Sequence, residues 1–132
     1  MTTSKWALTP GSLHDTRAIG YSQAIASEGG LLVHIAGQVA DAPTAAAQAE
    51  AALLAVDACC REAGGTARDV VSMTWFTTVD VADLWASTAE ARRQVLGDPP
   101  PAATSVRVVA LAHPRYLVEI SAVAVIEHPA SP

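Results

Sequence analysis

A chain of 132 residues, 51% hydrophobic and 16% charged, has the length and apolar content of one folded domain, which excludes a disordered chain. Eight basic against thirteen acidic residues give a net charge of −5, the wrong sign for a nucleic-acid surface, and no apolar run approaches the ~20 residues of a membrane span. The opening residues carry no apolar segment of secretory type, so a cytoplasmic protein is expected, with small molecules or other protein chains as partners.

Residues 1–16 read as an irregular N-terminal arm or short edge strand, and residues 128–132 as a tail. Two extended segments follow the arm, Ala18–Ser27 and Leu31–Val39, with the hairpin signal Glu28-Gly29-Gly30 between them. Ala46, Ala49, Leu53, Val56, Cys60 and Ala63 then step by three and four, one apolar helical stripe capped near Asp41 or Thr44 and stopped at Gly64-Gly65. Val70–Val79 is β-branched and aromatic, a strand. Asp80 starts a second helix with the stripe Leu84, Thr88, Ala91 and Val95, ended by Gly97 and the prolines after it. The strands Thr104–Leu111 and Leu117–Glu127 close the chain, joined by a hairpin-length loop. The order ββ-α-β-α-ββ predicts an α+β domain, two helices packed on one face of a mixed sheet.

The last strand is apolar on both sides: Val118, Ile120, Ala122 and Ala124 on one, Leu117, Ser121, Val123 and Val125 on the other. Two helices cover one face only, so the other calls for association between copies of the chain.

Glu119 is the lone charge inside that strand. It is either an edge residue or structural ion pair, Arg107 being a partner across the expected hairpin, or a general acid/base whose apolar surroundings favour the proton near neutral pH. His34 in an apolar strand reads as a core histidine, and His14, His113 and His128 fall in loops or the tail. No spacing of ligands suits a metal, and there is no phosphate loop or serine elbow. Cys59 and Cys60 are adjacent, which suits two reduced thiols on a helix and not a bridge.

Ile19-Gly20-Tyr21-Ser22-Gln23-Ala24, Ile35-Ala36-Gly37-Gln38-Val39, Ala63-Gly64-Gly65 with Asp69-Val70-Val71, and the run from Pro101 to Ile120 together resemble the Rid (YjgF-like) reactive-intermediate deaminase family over about residues 18–126. The resemblance implies a chorismate-mutase-like fold, a homotrimer with a central barrel of sheets, and clefts at the subunit interfaces. It also implies the activity of the family's deaminating branch, in which small imines or enamines are hydrolysed there to a ketone and ammonia without metal or cofactor. Carried over by position, it implies Glu119 as the residue that activates water, the Gly37 backbone as a hydrogen-bonding group, and Tyr21, Ala36, Thr104, Ser105 and Val106 as substrate-binding positions.

The family's deaminases also grip a substrate carboxylate with an arginine, and the spacing from Glu119 puts Thr104 there. Arg107 or Arg115 would have to substitute, and strand parity turns Arg107 to the opposite face from Thr104. Three readings stand: imine or enamine hydrolysis on a substrate lacking an α-carboxylate; a same-fold enzyme with changed chemistry, such as dehydration, ring opening or isomerisation; or a ligand-binding trimer without turnover. The ribonuclease role ascribed to some of the family fits poorly with a net charge of −5.

Overall fold

The apolar stripe of step three and four becomes helix α1, Ala45–Glu62, in a computed structural model that describes residues 4–127. Thr44 caps its start by accepting the Ala47 N–H at 3.1 Å. Its end is a Schellman arrangement: Gly64 N–H reaches the Arg61 carbonyl and Gly65 N–H that of Cys60, with Gly64 at φ 95°. Ala49, Ala52, Leu53, Val56 and Cys60 on its inner side are buried against the sheet.

That sheet has four strands, β3 (Leu31–Gln38), β4 (Val70–Thr77), β5 (Ala102–Arg107) and β6 (Val118–Ile126), in the order β3-β6-β4-β5. β6 runs antiparallel to both neighbours, and β5 runs parallel to β4. The sheet is therefore mixed, with helices on one face, as the residue pattern implies. Every second residue of β6 from Val118 to Ile126 is buried beneath the helices, together with Met73 and Trp75 of β4. The alternate residues, Glu119, Ser121, Val123 and Val125, face the other way and are only partly covered.

Four expectations need correction. β5 and β6 do not form a hairpin. The crossover through the second helical segment returns β5 parallel to β4, which leaves β4 between the last two strands. The Glu28–Gly30 turn is present, with Gly29 and Gly30 at φ 75° and 82°, but β2 (Ala24–Glu28) does not pair with β3. It pairs instead with β1 (Ser4–Leu8), the short strand that is one of the two forms expected of the arm, in a separate two-stranded sheet. Lys5 anchors it by donating to the carbonyls of Arg68 and Val70 at 2.6 and 2.9 Å.

Residues 18–21 are likewise not extended, and Ser22 makes only an isolated parallel bridge to Ala102. A 3-10 turn over Arg17–Ile19 and Gly20 at φ 104° fold the chain back, and the Thr16 hydroxyl donates to the Tyr21 carbonyl at 2.8 Å. The second helix is two, α2 (Val81–Ser87) and α3 (Ala89–Leu96), which makes three helices on the sheet. Thr88 sits at the joint, where its hydroxyl donates back to the Leu84 carbonyl at 2.9 Å and bends the helical path. Residues 1–3 of the arm and the tail 128–132, His128 included, lie outside the described residues. No helix among the described residues is long and apolar enough to cross a membrane.

Candidate functional site

Strand parity turns Glu119 away from the helices, because Val118 and Ile120 on either side are fully buried. The start of β6 is held in place by Gln48 of α1, whose amide oxygen accepts the Leu117 N–H at 2.7 Å and whose Nε2 donates to the Ala42 and Arg115 carbonyls. On the next strand Ile35 aligns with Ala122 and Gln38 with Ile120, so Ala36 and Gly37 oppose the single residue Ser121. This bulge swings the Gly37 backbone against the Glu119 side chain. A Cβ at Gly37 would lie 2.6 Å from the Glu119 carboxyl carbon and 2.5 Å from Oε2, so only glycine leaves the carboxylate room. Gly37→Ala is expected to displace that flexible carboxylate rather than the fold. The thermal midpoint of this variant should change little, which a melting curve checks.

Glu119 makes no ion pair among the described residues. Arg107 donates to the Thr78 carbonyl at 3.2 Å, and Arg115 lies 3.8 Å from Asp41 and over the Tyr116 ring. With β4 between β5 and β6, the pairing of Arg107 with Glu119 across a hairpin is overturned: Glu119 aligns with Phe76, and Arg107 with Thr77 on the helix side.

The face around Glu119 is built in rows. Val106 and Phe76 continue the row of Glu119, and Thr104 and Thr74 that of Ser121. Thr104, Val106 and Ala36 are exposed on this side. Ser105 is not there, since it aligns with the buried Trp75 on the helix side, and consecutive strand residues cannot share a face. Tyr21 is also elsewhere, its ring edge-on to Trp85 of α2 at 6.4 Å. The structure thus brings together Glu119, Gly37, Ala36, Thr104 and Val106, and leaves out Tyr21, Ser105, Arg107 and Arg115.

Sequence reading missed Phe76, the apolar wall between Glu119 and Val106, although the alternation of β4 carries that signal. No group of His, Cys, Asp or Glu among the described residues is placed to hold a metal ion. Burial pushes the Cys60 thiol up to about 11, so it is no nucleophile at neutral pH.

The model of the family described as endoribonuclease L-PSP matches residues 15–126. Among solved structures, the Yersinia pestis protein YyfB, described as of unknown function and of the conserved Rid protein family, is 30% identical with a TM-score of 0.82, over 92% of this chain and 98% of that one. Rv2704 of Mycobacterium tuberculosis, described as a member of the YjgF/YER057c/UK114 family, is 33% identical over 93% of this chain and all of its own, with a TM-score of 0.66. RidA from an Antarctic Psychrobacter is 34% identical, over 80% and 88% of the two chains, with a TM-score of 0.66. No curated protein matches the chain.

Proposed function

The chain belongs to the Rid (YjgF) family, and on that ground we propose that it hydrolyses a small imine or enamine without a cofactor, on a substrate lacking an α-carboxylate. The observation that carries this is a carboxylate with no cationic partner among the described residues, laid over the Gly37 backbone beside the apolar Phe76 and Val106. A carboxylate so placed is a base available to water. Water gives a proton to Glu119 as its oxygen adds to the imine carbon. Glu119 passes that proton to the nitrogen to give the carbinolamine, then takes the proton of the new hydroxyl and hands it to the nitrogen as the C–N bond breaks, so that ammonia and the ketone leave and the carboxylate is restored. The Gly37 backbone hydrogen-bonds the substrate and Thr104 borders it. A homotrimer built on the open sheet face would complete the cleft. Tyr21, turned from Glu119 within its own chain, would then line it from across a subunit boundary.

The spacing from Glu119 puts threonine at the position of the family's carboxylate clamp, and a threonine cannot form a bidentate ionic fork. Ammonia release from 2-iminopropanoate should therefore be slow. Thr104→Arg, a change at an exposed site, should speed it by about tenfold or more. Fast release by the natural protein contradicts the reading.

The same feature favours one second reading, a dehydration, ring opening or isomerisation that uses Glu119 as base without adding water. A neutral substrate that rearranges without releasing ammonia would decide for it. A ribonuclease is disfavoured by the net charge of −5, and the exposed Arg17, Arg61 and Arg93 are each paired with a carboxylate.

A further inference from the structure

One sizeable cavity lies away from the Glu119 face. A cleft of about 780 Å³ opens on the helix side, between the Arg17–Gly20 turn and helices α2 and α3. Ligand sites commonly fall in this size range. Ile19, Trp85, Ala86, Ala89 and Leu96 give it apolar walls, and Arg92 stands at its base.

Arg92 is 3% exposed and, among the described residues, no carboxylate pairs with it. Its guanidinium carbon lies over the Trp85 ring, 3.5 Å from the centroid. Nη2 donates to the Trp85 carbonyl at 2.6 Å and Nε to the Thr88 hydroxyl at 3.3 Å. These contacts leave Nη1 without a protein acceptor. Every fully buried side-chain nitrogen or oxygen among the described residues has a partner, so Nη1, which has none, keeps some accessible surface, and Arg92 lines the cleft. Nη1 points past Gly20, where any Cβ would collide with it.

Burial pulls the guanidinium down to about 10, which leaves it charged at neutral pH. Holding an unpaired cation out of water is costly unless an anion meets it. The other charges around the cleft are Arg17 and Arg93, already engaged by Asp15 and Glu90, and Asp98.

We propose that this cleft is a second binding site, for a small monocarboxylate with an aromatic or branched apolar body, whose carboxylate meets Arg92 Nη1. Within one chain it lies across the sheet from Glu119.

Phenylacetate and its uncharged amide, phenylacetamide, are the probes, followed by calorimetric titration of the full chain. Phenylacetate should bind once per chain, and the amide at least tenfold more weakly. Ala89→Trp, a change in an exposed wall, should weaken phenylacetate at least tenfold by filling the cleft, and Arg92→Met should do the same. Should Arg92→Met fail to fold, the Ala89→Trp result stands alone. Glu119→Gln should bind phenylacetate like the natural protein. No binding at ~10 mM phenylacetate, equal affinity for acid and amide, indifference to Ala89→Trp, or loss on Glu119→Gln would each overturn the proposal.

Discussion

Glu119→Gln is expected to lower turnover by about 10²–10⁴-fold and to leave the protein folded, with a thermal midpoint equal to or above that of the natural chain. Glutamine keeps the size of the side chain and an acceptor oxygen but cannot take a proton from water. The stability half of the result follows from the surroundings. Glu119 is half-buried beside Phe76 and has no cationic partner among the described residues, so neutralising it strands no counter-charge. Had it been bonded to Arg107 or Arg115, the change would cost stability by leaving a cation unpaired. Those two arginines are committed to the Thr78 carbonyl and to Asp41 with Tyr116 instead. Turnover and thermal midpoint measured on one preparation separate the roles. Unchanged turnover with a lowered midpoint would falsify the assignment of Glu119 as the base.

What the sequence made legible was local. The three-and-four spacing from Ala46 to Ala63 depends on helix geometry alone, and α1 buries that stripe. The alternation of β6 likewise reports its two faces, and a lone carboxylate in such a strand stands out without any structure. The failures are non-local. Five residues between two strands suit a hairpin, but nothing in the loop from Ala112 to Tyr116 records that β4 will pair with β6 first. That pairing is decided by the crossover through α2 and α3 and by burial of Trp75 and Ile120 against each other's neighbours.

The extended reading of residues 18–21 failed because Thr16 and Gly20 offer the backbone short-range hydrogen bonds that compete with a ladder. In the candidate site, Thr104 and Ser105 follow one another in a strand, so naming both as cleft residues already conflicted with parity. Arg92 was illegible. It sits in Glu90-Ala91-Arg92-Arg93-Gln94, a polar run that resembles a solvated helix surface. Only the turn at Gly20, folded over the α2–α3 joint, encloses it.

Val123→Asp is expected to abolish assembly of the natural chain, which light scattering should show as a homotrimer at micromolar concentration. Val123 lies at the centre of the uncovered sheet face, aligned with His34 on one side and Ser72 on the other, with Val125 and Leu32 in the next row. Leu32 is 58% exposed in the single chain, and the helices have no means of reaching this side. In a monomer the position would be at the surface, where an aspartate costs a few tenths of a kcal/mol. In an assembly that closes over the face, each copy would instead bury a carboxylate whose cross-strand neighbours in its own chain are only His34 and Ser72. Such a charge costs about 3 kcal/mol or more, which weakens each interface by more than ~100-fold. The two cases therefore differ in kind. A trimer that falls to folded or partly unfolded monomers on this substitution shows that the sheet face is the interface. A natural chain that is already monomeric, or a Val123→Asp protein that stays trimeric, removes association through this face, and with it the shared cleft that would bring Tyr21 towards Glu119.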